Sequence, residues 1–205
     1  MKENAVDLWV IERSVAAQGY RLICGIDEAG RGPLAGPVFA AAVILPTEAK
    51  IEGLNDSKKL SDAKRRALFP FICDTAIAYG IGSASAQEID EINILQATFL
   101  AMRRAVDAMG VSADFLLVDG NRLTDFGIPA EAVVKGDSRS ANIAAASILA
   151  KVSRDTLMEE LAKQYPQYGF EIHKGYGTKA HYAALERYGA CPIHRQTFLR
   201  TFYER

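Results

Sequence analysis

The sequence predicts an α/β protein, a mixed β-sheet flanked by helices with a helical segment at its C-terminal end. Three observations carry that reading. Short apolar runs of strand length follow one another early in the chain, and segments of helical period then alternate with further strands. The longest apolar runs, Val38 to Leu45 and Ile143 to Ala150, suit one buried strand and one core-facing helix. At 205 residues, 49% of them hydrophobic, the chain can bury a substantial core, and one domain over 1–205 is expected.

Residues 5–18 carry Val6, Trp9, Ile11 and Val15 among charges, the pattern of an amphipathic helix lying on the domain. Segments 20–28 and 37–45 read as two strands joined by a glycine-rich turn, a spacing that favours an antiparallel pair. Ser61 can cap a helix over 62–72 that Pro70 shortens or kinks, and 76–84 supplies a third strand, so the sheet begins as a meander. From 87 to 109 the apolar positions Ile94, Phe99, Met102, Val106 and Met109 keep helical spacing until Gly110. A fourth strand follows at 114–118 and a short fifth at 132–135. Gly136-Asp137 then leads into a helix from 138 to about 163, whose Ala144-Ala145-Ala146 run permits close packing on a sheet. Residues 165–205 differ in composition, with nine of the eighteen aromatic residues and six basic against three acidic residues. They read as loop, a helix over 179–189 and a terminal helix.

Net charge of -1 gives no global sign of a nucleic-acid partner, although clustered carboxylates would mask a basic surface in such a sum. Cys24, Cys73 and Cys191 are odd in number, widely spaced and without zinc-type pairing, which suits a reducing compartment. The polar start Met1-Lys2-Glu3-Asn4 precedes no signal-peptide core, and no apolar run approaches the ~20 residues of a membrane helix. A soluble cytoplasmic protein is expected.

Four acidic residues stand where apolar strands run out: Asp27 and Glu28 after Leu22 to Ile26, Asp119 after Phe115 to Val118, and Asp137 after Val133 to Gly136. Carboxylates gathered at the mouth of a sheet must take up protons or share a cation. Hard oxygen ligands without Cys or His beside them select Mg2+ or Mn2+ over zinc, and two such ions would neutralise four carboxylates. Adjacent strand residues face opposite sides, so Asp27 and Glu28 share a site only if the strand twists or bulges. Taken singly, Asp137 reads as a helix cap and Asp119 as a turn residue, but neither reading explains four together.

The following Ala29-Gly30-Arg31-Gly32-Pro33 lets backbone N–H groups approach a polyanion, and two ions clamping a phosphate describe phosphodiester chemistry. Tyr176, in a turn between glycines and basic residues, is either a hinge tyrosine or a ring that stacks on a sugar or base. Lys58, Lys59, Lys151, Arg154, Lys174, Lys179 and Arg195 are candidate phosphate contacts, with Lys58 and Lys174 first and Arg154 also open to a helix ion pair. His173, His181 and His194 lack mutual metal spacing, so structural or phosphate-contacting roles are expected.

The block Gly25-Ile26-Asp27-Glu28-Ala29-Gly30-Arg31-Gly32-Pro33-Leu34-Ala35-Gly36-Pro37 resembles the signature of ribonuclease HII, of the ribonuclease H-like superfamily. Further blocks recur in that family in the same order: Asn55 to Leu60, Val118-Asp119-Gly120, Lys135-Gly136-Asp137, Ile143 to Asp155, Lys174 to Thr178 and His194-Arg195. The related ribonuclease HIII group usually has Lys where Arg31 stands and adds an N-terminal domain, for which this chain is too short. The resemblance implies an endonuclease that cuts RNA in RNA–DNA hybrids and nicks DNA 5′ of an embedded ribonucleotide, leaving 3′-hydroxyl and 5′-phosphate ends. It assigns Asp27, Glu28, Asp119 and Asp137 to two ions about 4 Å apart. It also assigns the Gly30-Arg31-Gly32 turn to the ribose 2′-hydroxyl, and Tyr176 to the nucleotide after the ribose.

Gln196 to Tyr203 has the Gln, aliphatic and paired-aromatic spacing of a sliding-clamp peptide. Leu199, Phe202 and Tyr203 also keep helical spacing for docking on the protein's own core, which is the preferred reading. A ribonuclease H-fold nuclease of DNA structures and a catalytically silent nucleic-acid-binding module are the competing functions. A phosphatase would not need so aromatic and basic a C-terminal segment. The chain is expected to be a monomer.

Overall fold

The computed structural model describes residues 7–54 and 60–204. Its elements are α1 (Val10–Ala16), β1 (Ile23–Ala29), β2 (Val38–Ile44), α2 (Asp62–Thr75), β3 (Ala78–Ala84), α3 (Ala86–Ala108), β4 (Phe115–Asp119), β5 (Ala130–Val133), α4 (Ala141–Gln164), α5 (Phe170–His173), α6 (Lys179–Tyr188) and α7 (Gln196–Tyr203). The strands form one sheet in the order β3-β2-β1-β4-β5. The pairs β1–β2 and β2–β3 are antiparallel, as the closely spaced early strands require. Beyond α3 the chain crosses back to lay β4 parallel to β1, and β5 parallel to β4.

The alternation of side chains along β2 divides the core in two. Ala40, Ala42 and Ile44 face Ile89, Ala101, Met102 and Ala105 of α3. Ala41 and Val43 face Ala145, Ile148 and Leu149 of α4, with Ile72 of α2 behind. Every residue of α4 from Ala141 to Ala150 is buried, so its small side chains let a helix sit between the sheet and an outer layer. Close approach also explains Gly25: a Cβ there would lie 2.2 Å from the backbone of Asn142, at the start of α4.

Several boundaries differ from expectation for local reasons. β5 ends at Val133 because Lys135 adopts left-handed backbone (φ 55°). The long helix then begins at Ala141 rather than 138: Gly136–Ser138 is a 3-10 turn, and Ser140 caps the helix by accepting from the Ile143 N–H. Asp137 is therefore not the cap of that helix. α2 runs through Pro70 to Thr75, with Phe69, Ile72 and Cys73 packed into the core. α3 is not continuous: Asn93 (φ 66°, ψ 163°) breaks it, and its side chain accepts from the N–H groups of Leu95 and Gln96 to restart the helix. α1 begins at Val10, and the earlier part of the expected 5–18 helix reaches outside the described residues.

Candidate metal centre and substrate cleft

Ligands of open α/β sheets gather at the carboxyl ends of the strands, and the parallel neighbours β1 and β4 carry Asp27 and Asp119 there. Asp137 arrives from the 3-10 turn beyond β5. Asp119 orients that turn by accepting from the Gly136 N–H at 2.6 Å. One carboxylate oxygen from each of Asp27, Asp119 and Asp137 lies within 4.8 Å of the others. Asp27 and Asp137 are each 3% exposed.

Burial holds the Asp27 carboxyl well above the ordinary aspartate range, and the charges of Glu28 and then Asp119 push it the same way. Hydrogen bonds from the Glu28 N–H (2.7 Å) and from Ser147 offset this only in part. Buried, mutually repelling hard-oxygen donors fit a divalent cation.

Glu28 lies outside that 4.8 Å set, although its charge acts on Asp27 and it lines the same cleft. The β1–β2 register runs unbroken through Asp27 opposite Ala41 and Glu28 opposite Ala40, without the bulge that would turn both side chains to one face. Glu28 lies 3.5 Å from the Arg31 guanidinium. Both residues line each of two clefts. One, of about 260 Å³, is lined by Asp27, Asp119, Gly30 to Gly32, Lys151 and Tyr176. The other, of about 360 Å³, is lined by Thr98, Asn121 and Arg122, and both include Glu28, Arg31 and Asp119.

The structure sorts the candidate phosphate contacts. Lys58 and Lys59 lie outside the described residues. Lys151 lines the first cleft and pairs with Asp155 at 2.8 Å. The Lys174 ammonium is taken up by Glu159 at 3.0 Å and by the Glu171 carbonyl. Arg154 and Arg195 are wholly buried and donate to backbone carbonyls, so neither offers a phosphate contact. Long-range packing, invisible in residue type, corrects those two assignments. Tyr176 is 44% exposed in the cleft wall.

Sequence spacing also missed that the three histidines converge. His181 stacks on His173 with ring centres 4.6 Å apart, and its Nε2 lies 3.0 Å from His194 Nε2. The partners assign the protons: His181 Nδ1–H donates to the Tyr176 carbonyl, and His194 Nε2–H donates to His181. His194 Nδ1 accepts from the Cys191 N–H. Burial first, then the neighbouring His181, holds His194 down at about 4, and burial lowers His181 too. His173 is engaged at both nitrogens, by the Tyr168 carbonyl and the Gly175 N–H, which leaves it no free position for acid catalysis.

The family profile described as Ribonuclease HII matches residues 24–204. A Ribonuclease HII of Syntrophotalea carbinolica is 58% identical over 187 residues, covering 91% of this chain and 90% of that protein. The fold resembles the PCNA:RNase HII complex from Archaeoglobus fulgidus (TM-score 0.73, 24% identity, 85% of this chain and 94% of that one). It also resembles Bst-RNase HIII in complex with Mn2+ (TM-score 0.63, 17% identity, 82% and 63%). A profile matched over nearly the whole sheet and both clefts, with a relative so similar over almost its full length, shows that the chain belongs to the ribonuclease HII family of ribonuclease H-type hydrolases.

Proposed function

We propose that this chain, as a single-domain monomer, cuts the RNA strand of RNA–DNA hybrids and nicks DNA on the 5′ side of embedded ribonucleotides. Ends with a 3′-hydroxyl and a 5′-phosphate result, and removal of misplaced ribonucleotides and RNA primers is its cellular role. The observation that carries the reading is the convergence of Asp27, Asp119 and Asp137 at the strand ends. These carboxylates, with Glu28 beside them, would hold two Mg2+ or Mn2+ ions, and the Mn2+ bound by the HIII neighbour supports a divalent ion. Such ions supply an activated water and charge stabilisation on the departing 3′-oxygen. The protein's own part is positioning. The Gly30-Arg31-Gly32 backbone faces the ribose 2′-hydroxyl, the group that separates RNA from DNA, and Tyr176 stacks on the following nucleotide.

The test is cleavage of a DNA duplex carrying one ribonucleotide against its all-DNA equivalent, with Mg2+, with Mn2+ and with chelator. Wild type should nick only the first, and only with metal. Asp119→Asn should lose at least about a hundredfold in rate, and Tyr176→Ala about tenfold. Equal cutting of both duplexes, or an active Asp119→Asn, refutes the reading.

A sliding clamp is a second proposed partner, supported by the Archaeoglobus complex. Leu199 is fully buried, and Phe202 packs on Tyr182 and Tyr203, so two anchors of that peptide already serve the protein's own core. Titration against a clamp protein should therefore show binding only if α7 undocks. Tight binding with α7 still in place would reject that requirement.

A further inference from the structure

We infer that Arg195 is a positioning residue that sets the ribose-reading donors of the Gly30-Arg31-Gly32 turn and thereby governs discrimination between ribose and deoxyribose. The inference rests on the nuclease reading and extends it.

The Arg195 guanidinium is wholly buried beneath the glycine-rich loop. Its Nη2 donates to the Gly30 carbonyl at 2.6 Å, Nη1 to the Arg31 carbonyl at 2.8 Å and Nε to the Gly36 carbonyl at 3.0 Å. Its backbone N–H donates to the Leu34 carbonyl. Arg154, equally buried, donates to the carbonyls of Ala35 (3.2 Å) and Pro37 (3.0 Å). The loop thus turns a row of carbonyls inward onto two guanidinium groups. Among the described residues neither arginine forms an ion pair. Burying such cations is costly, and a fold needing only a tether there could use neutral donors.

The consequence lies on the other side of the same peptides. A trans peptide is planar, with its C=O and N–H pointing in opposite directions. With the carbonyls of Gly30 and Arg31 held inward, the N–H groups of Arg31 and Gly32 are turned outward, and both residues line the cleft with Asp27, Asp119 and Tyr176. Successive N–H groups presented together form a nest for an acceptor oxygen. Donors fixed before the substrate arrives need no reorganisation, and desolvated positive charge behind them strengthens their pull. Gly30 belongs to the same device: a Cβ there would sit 1.9 Å from Arg154 Nε, so only glycine lets the loop rest on the guanidinium. The planar three-pronged geometry is what Lys cannot reproduce.

The experiment compares wild type, Arg195→Lys and Arg195→Gln on the single-ribonucleotide duplex and its all-DNA equivalent. It reads kcat and KM for nicking with Mg2+, affinity for both duplexes in chelator, and thermal unfolding. Arg195→Lys should melt cooperatively, bind the all-DNA duplex within about twofold of wild type and lose about tenfold or more in ribose-dependent nicking. Wild-type nicking by the Lys variant, or an equal loss of affinity for both duplexes, overturns the inference. A wild type that does not distinguish the duplexes overturns the nuclease reading itself, and this inference with it. If neither variant melts cooperatively, NMR of the wild type decides. Slow exchange at Arg195 Nε–H with fast exchange at the Arg31 and Gly32 amides supports the inference, and fast exchange at Arg195 overturns it.

Discussion

Asp27 sits where folding alone would not place an ionised carboxylate, and its titration carries the consequence. The unfolded side chain releases its proton near 3.8, whereas burial, Glu28 and Asp119 make the folded protein hold it to higher pH when no metal is bound. Between those two values the folded state binds more protons than the unfolded one, so stability falls as pH rises through the window and the full cost remains above it. His194, held at about 4 against an ordinary 6.5, acts in the opposite sense: acid favours the unfolded chain there. The difference between wild type and Asp27→Asn isolates the first effect. In chelator, at pH well above the ordinary aspartate range, Asp27→Asn should be more stable by about 0.5–2 kcal/mol, whereas with Mg2+ present its nicking should be abolished. The gain should shrink as pH falls toward the ordinary aspartate range. Thermal melts over this range check it, and a variant less stable than wild type throughout would refute it.

Among the elements, α7 shows how one end of the chain is fastened to the sheet. Its N-terminus is capped from outside, since Asp90 of α3 accepts from the N–H groups of Gln196 (2.8 Å) and Thr197 (2.9 Å) and from the Thr197 hydroxyl. The residue just before the helix is Arg195, so the cap also fixes the approach of that guanidinium to the loop. Asp90→Ala should cost about 1–2 kcal/mol, the range of a lost helix cap, and should slow nicking although Asp90 does not line either cleft. Denaturant unfolding together with nicking rates tests both parts, and unchanged stability would reject the capping role. Nothing local announces this contact, because five elements, β4, β5, α4, α5 and α6, lie between the partners along the chain. The break in α3 was hidden for a different reason: Asn93 keeps the helical apolar period on both sides while its own backbone leaves the helix.

For the whole molecule, a divalent ion bound by the folded carboxylates and not by the unfolded chain must raise the melting temperature with its concentration. Mg2+ or Mn2+ at a hundredfold over its dissociation constant should add about 2.7 kcal/mol to wild type, and little to Asp27→Asn. Calorimetry with and without chelator reads this directly, and equal shifts in both proteins would place the ion elsewhere. The sheet, its early meander and the acidic strand ends were legible in the sequence because strand periodicity and adjacent motifs are local signals, as at Gly25 to Pro37. The histidine convergence and the burial of Arg154 and Arg195 were not, because each depends on which distant segment packs beside it. Strand order adds a consequence in time. β1, β2 and β3 pair with near neighbours along the chain, whereas the β1–β4 pairing closes a loop across all of β2, α2, β3 and α3. Closing long loops is the slow step in assembling such sheets. Asp27 and Asp119 face each other only across that late seam, so recovery of nicking during refolding should lag the formation of most secondary structure, and catalytic competence becomes a clock for the completed fold.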